Sequence, residues 1–118
     1  MDPQLLELAL VFEQECHYVS SSERLPTKVR FHLEGDYICD LFYRSSTGSY
    51  SYTLLRGGQR VLGWDNAPHH KTLDNFPHHF HPEERAEAAA STLTSDPMED
   101  VAIVARAINA FLAARLGE

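Results

Sequence analysis

The sequence predicts an α+β fold: an N-terminal helix, a four-stranded antiparallel meander, a His-rich loop and a C-terminal helix packed on one sheet face. Three observations predict it. Apolar residues recur at helical spacing near both ends of the chain. Between residues 27 and 64 the period drops to two. Every connection between the alternating runs is short, which favours antiparallel hairpins over parallel crossovers. With 118 residues there is room for one core, so 1–118 reads as a single domain.

Each element has a local cause. Residues 2–15 open with Asp2, which can cap free N–H groups, and Pro3, which suits the first helical position. Leu5, Leu8, Ala9 and Phe12 then share one face. In 27–33, Val29, Phe31 and Leu33 alternate with Lys28, Arg30 and His32, as in a half-buried strand. Gly35-Asp36 is a turn, and Tyr37–Tyr43 is a second strand of aromatic and β-branched residues. Ser45–Gly48 is a turn of small residues. In Ser49–Arg56, Tyr50, Tyr52 and Leu54 alternate with small polar residues. Gly57-Gly58 is a strong hairpin turn, and Gln59–Trp64 is the fourth strand.

Residues 65–82 lose all periodicity and contain Pro68, Pro77 and Pro82, so they read as a loop. A short helix is expected over 83–91. The clearest helix spans 97–115: Asp96 caps it, Pro97 takes the first position, and Glu99 completes a capping-box-like pattern. Its stripe of Val101, Val104, Ala105, Ile108, Phe111 and Leu112 must cover one face of the sheet.

Net charge is −7 with His neutral, and there are seven His, so full protonation would bring the charge to zero. An acidic chain argues against non-specific nucleic-acid binding through bulk charge. The acidity sits in the flanks, however. Residues 56–85 carry four basic and four acidic side chains and hold five of the His. The opening Met-Asp-Pro-Gln is not a basic leader, and no apolar run is long enough for a membrane span, so a cytoplasmic protein is expected. Cys16 and Cys39 lack metal-type spacing and read as small core residues with reduced thiols.

The chemistry concentrates in the loop. His69, His70, His78, His79 and His81 lie within 13 residues of one another. Imidazole is the side chain that exchanges protons near neutral pH, and it is also the commonest metal ligand. Three readings follow. In an acid–base reading, two His divide the base and acid roles of phosphodiester cleavage, with Asp65 and Asn66 orienting the loop and no cofactor required. Lys28, Arg30, His32, Arg44 and Arg60 are candidates to hold the phosphate, and Trp64 to contact substrate. In a metal reading, extended His79-Phe80-His81 points both imidazoles the same way. With His69 or His70 and a carboxylate from Asp65 or Asp74, they would ligate zinc or another divalent ion. In a structural reading, the imidazoles bond backbone groups and pin a proline-rich loop. The aromatic residues Trp64, Phe76 and Phe80 also suit a homo-oligomer interface.

The run Trp64-Asp65-Asn66-Ala67-Pro68-His69-His70, followed by Phe76-Pro77-His78-His79-Phe80-His81, resembles the signature of the TumE family of prokaryotic toxins. The order of elements fits over about residues 25–112. The chain departs from the family pattern at Phe80 and in the alanine-rich segment 82–92. The resemblance implies a small toxin with a cognate antitoxin, of helix-turn-helix type, as partner. By analogy with other small toxins, it implies RNA as target.

Overall fold

A computed structural model describes residues 1–68, 72–83 and 87–117. Helix α1 (Pro3–Glu15) is followed by strands β1 (Val19–Arg24), β2 (Val29–Leu33), β3 (Tyr37–Arg44), β4 (Ser49–Arg56), β5 (Gln59–Asp65), β6 (His79–His81) and β7 (Ala89–Ala90), and then by helix α2 (Pro97–Arg115). The α+β class and both helices are as expected. The sheet is larger: among the described residues it has seven strands in sequence order, each antiparallel to the next, where four were expected. The additional strands are β1, β6 and β7. Residues 87–91 do not continue the short helix expected over 83–91, because Ala89–Ala90 pairs with His79–Phe80.

Two turns fix the register of the sheet where the site is built. Gly57 and Gly58 have φ of 60° and 77°, the left-handed geometry a two-residue hairpin needs. They join Arg56 directly to Gln59 across the β4–β5 pair. One residue later a bulge between Leu54 and Leu55 sets Leu55 opposite Arg60, so Val61 is passed over. Beyond it, Gly63 and Asp65 fall on the same face as Thr53 and Ser51.

That alternation divides the sheet. The inner face carries Val29, Phe31 and Leu33 of β2, Cys39 and Leu41 of β3, Tyr50, Tyr52 and Leu54 of β4, and Leu62 and Trp64 of β5. The helices cover it with Leu5, Leu8 and Phe12 from α1 and Val101, Val104, Ile108 and Leu112 from α2. Phe12 meets Phe31 with ring centroids 4.7 Å apart. Cys16 and Cys39 are buried free thiols within this core, and burial pushes both thiol pKa values up.

Both helix starts follow the sequence. Asp2 Oδ1 accepts from the N–H of Gln4 and Leu5, while its Oδ2 accepts from Ser45 and so ties α1 to the β3–β4 turn. Asp96 Oδ1 accepts from the N–H of Met98 and Glu99. The Asp96 N–H, which a capping box would give to Glu99, donates instead to Thr94 Oγ1, and Asp100 holds that turn. Its buried carboxylate accepts from Thr94 N, Thr94 Oγ1 and Ser95 N, which locks the chain entering α2. Asn109 links the helices, accepting from His17 N and donating to the Glu15 carbonyl. Among the described residues no helix is long and apolar enough to cross a membrane.

Candidate functional site

The outer face of the sheet is not covered by either helix. Two cross-strand rows run along it: Phe42, Ser51, Asp65 and His79, and beside it Arg30, Asp40, Thr53, Gly63 and His81. The first row forms the floor of an open cleft of about 610 Å³, lined also by Arg60, Asn66 and His81.

Three of the expected residues meet at this floor. The β6 strand alternates, so His79 and His81 fall on one side with Phe80 opposite. Their rings lie edge to face, 4.9 Å apart. His79 Nε2 is 2.6 Å from Asp65 Oδ1, and His81 Nε2 is 3.1 Å from Asp65 Oδ2. The Asp65 carboxylate thus bridges two imidazoles, while also accepting from the Ala67 N–H at 3.0 Å. One donor atom from each of the three residues lies within 4.8 Å of the others.

The protons in this cluster are constrained. His79 Nδ1 faces the Pro77 carbonyl at 3.2 Å, and a carbonyl only accepts, so Nδ1 carries a hydrogen. In the neutral ring Nε2 is then a bare lone pair, aimed at a carboxylate oxygen. At 2.6 Å that contact is a hydrogen bond, with one proton between Nε2 and Oδ1; a cation held by both atoms would take the place of that proton, with the two donors moving apart. A backbone carbonyl fixing the distal nitrogen is also the usual means of orienting a metal-ligating His.

Arg60 completes the arrangement. Its stem crosses Gly63, where an added Cβ would lie 3.0 Å from Arg60 Cδ and 3.6 Å from His81 Cβ. The missing side chain at 63 therefore lets the guanidinium lean toward His81. Burial, and then the Arg60 charge, push the His81 imidazole below its ordinary pKa; Asp65 acts in the opposite direction.

The other expected residues lie elsewhere. His69 and His70 are outside the described residues. His78 points to the inner side: its Nδ1 is 2.6 Å from the Tyr50 hydroxyl and its Nε2 2.6 Å from Ser95 Oγ. Asn66 holds a turn, accepting from Tyr50 N and donating to the Gly48 carbonyl. Arg30 and Lys28 both bond the Asp40 carboxylate, at 2.8–3.0 Å. His32 pairs with Glu23 at the edge of the sheet. Arg44 is exposed at the end of β3, with its guanidinium carbon 5.7 Å from the Phe42 ring centroid. Trp64 is 5% exposed on the inner face and packs on Phe80, so neither ring faces the cleft. Asp74 is exposed and does not join the cluster. Phe42 and Gly63 carry no motif that marks them in the sequence; the alternation of β3 and the bulge in β5 place them on the outer face.

The family model described as toxin TumE matches residues 4–114, nearly the whole chain. The chain belongs to the TumE family. No curated protein and no solved structure matches it. The residues that carry the TumE resemblance divide between the two faces: Asp65, His79 and His81 build the cleft, whereas Trp64, His78 and Phe80 build its support. The aromatic Phe80 fits the ring of Trp64, at 5.2 Å.

Proposed function

We propose that this chain is the toxin of a toxin–antitoxin pair, and that it cleaves RNA in the outer cleft with a zinc-class divalent ion held by Asp65, His79 and His81. The observation that carries this reading is the convergence of three donor atoms within 4.8 Å, one of them oriented by a backbone carbonyl. Two imidazoles and a carboxylate form a common donor set for catalytic zinc, which leaves a position open for water or substrate. Such an ion polarises a phosphoryl oxygen and acidifies water. Arg60, beside His81, offers the guanidinium fork that suits a phosphate. The balanced charge of residues 56–85 removes the objection raised by the overall −7. The partner in this reading is an antitoxin, expected to be of helix-turn-helix type.

The reading gives the imidazoles a role different from shuttling protons. His79 uses one nitrogen on Pro77 and the other on Asp65, so neither is free to face a substrate. The test uses the full chain purified without a His tag and depleted of metal by a chelator. Labelled single-stranded RNA should survive until zinc or manganese is restored. Asp65→Asn and His79→Ala should stay inactive with either ion. Expression of the native chain alone should slow growth, and the Asp65→Asn chain should not. Cleavage that survives chelation yet requires His79 would transfer the role to acid–base chemistry. Stoichiometric metal without cleavage would leave a metal-binding module, and neither metal nor cleavage would remove the proposal.

A further inference from the structure

The structure assigns Phe42 as a stacking platform for one base of a single-stranded nucleic acid entering the cleft. This rests on the reading of RNA as substrate and names the subsite that would recognise it.

Phe42 is the aromatic side chain of β3 on the outer face, half-buried and outside the set of apolar residues packed on the core. A phenylalanine held away from the core, in a cleft that also carries Arg60, Asp65 and His79, offers apolar surface to a ligand. Its row places it in register with the cluster: Phe42 pairs with Ser51, and Ser51 with Asp65. Two strand spacings separate Phe42 from Asp65, about 10 Å. That is the scale of one nucleotide, from a base to a neighbouring phosphate. A base on Phe42 therefore sets a phosphodiester against Asp65 and Arg60.

The second observation is the charge around the ring. Arg44 sits 5.7 Å from its centroid. Phe42 lines the cleft and, together with Arg44, a shallow hollow beside it. The ring is thus braced by a cation that also attracts the backbone phosphates of a strand lying along β3. Ser49 and Ser51, which line the same cleft, are too small to block a planar base. A double helix would keep its bases stacked and present only its backbone, so this geometry selects single strands.

Binding is measured on the full, metal-depleted chain, so that cleavage plays no part. The probes are a fluorescent oligouridylate and a ribose-phosphate oligomer of equal length without bases. Native chain should prefer the base-bearing strand. Phe42→Ala should weaken that binding about 5- to 150-fold, the range expected for one lost stack. Phe42→Tyr should retain it. Phe42→Leu keeps apolar bulk without a π face and should behave like the alanine variant; an unchanged melting curve confirms that it folds. With metal restored, the alanine change should raise KM and leave kcat near its native value.

Equal affinity for the two probes, or native affinity in Phe42→Ala and Phe42→Leu, overturns the assignment. If those variants also cleave like the native chain, the RNA reading stands and the stacking platform alone falls. Base-dependent binding lost on Phe42→Ala, with no cleavage by the native chain, supports the platform and removes the nuclease. A native chain that binds no single strand when metal-depleted and cleaves none with metal restored overturns both.

Discussion

The two faces of one sheet differ in what covers them and in what they carry. The inner face is covered by two helices and carries a continuous apolar core. The outer face carries serines, a threonine, a glycine and three charged clusters, with half-buried Ile38, Phe42 and Leu55 between them. Both faces come from the same strands, one residue apart. Their contrast predicts that equal deletions on the two sides have unequal consequences.

The largest difference lies between two phenylalanines. Phe31 is 1% exposed and packs on Phe12 with the rings tilted by 37°. Phe31→Ala should lower unfolding free energy by about 3–5 kcal/mol, through lost transfer energy and the cavity left behind. Phe42→Ala, on the open face, should cost about 1 kcal/mol. Denaturant unfolding of both variants measures the gap. Equal losses would mean that the outer ring belongs to the core after all.

His78 and His79 sharpen the contrast, because they are adjacent and face opposite ways. His78→Ala removes two 2.6 Å hydrogen bonds and strands the hydroxyl of the buried Tyr50. It should cost about 2 kcal/mol and leave zinc binding intact. His79→Ala removes a ligand of the proposed centre. It should abolish zinc binding, read by calorimetry on untagged protein, with a smaller loss of stability in the metal-free chain. The reverse pattern would move the site to the inner side.

These pairs also mark what the sequence made legible. Strict alternation in 29–33 and 49–56 placed the inner residues correctly, because one side of those strands must be buried. The same rule set His79 and His81 together and could have separated Trp64 from Asp65, which are neighbours in one strand. Strand β1 was illegible for a physical reason. Val-Ser-Ser-Ser-Glu-Arg is exposed on both sides after Val19, and it joins the sheet through backbone pairing to β2. Strands β6 and β7 have three and two residues, too few for a period to show. Asp65 could be named but not preferred to Asp74, because only the β5–β6 register brings a carboxylate to the imidazoles.

A smaller effect tests the electrostatics of the outer face away from the cleft. Asp40 is 7% exposed and receives Lys28 and Arg30. Burial raises its carboxyl pKa, but the bonds and charges of Arg30 and Lys28 outweigh that, and the net value lies below the ordinary carboxylate. A depressed folded pKa contributes stability above the unfolded value of about 3.9, and the contribution disappears as pH falls through the folded value. Asp40→Asn should therefore cost about 1–2 kcal/mol at neutral pH, discounted because both cations are partly exposed. The gap from the native chain should hold down to about pH 4 and close below it. A gap that is independent of pH would mean that the carboxylate acts by shape and not by charge.

Gly63→Ala should have the least effect on folding and a selective effect on chemistry. Its φ lies outside the left-handed region, so the backbone accepts alanine without strain. The new Cβ would meet Arg60 Cδ at 3.0 Å, on a flexible side chain that can give way, so stability should change by less than about 1 kcal/mol. What moves is the guanidinium over His81. If Arg60 holds the phosphate, Gly63→Ala should raise KM for RNA and keep zinc affinity, because the added methyl displaces Arg60 and leaves Asp65 and His79 in place. Arg60→Ala should reproduce that rise, and the double change should add little to it, since both act on the same guanidinium. Additive losses would show that Gly63 shapes the cleft through the neighbouring His81 ring instead.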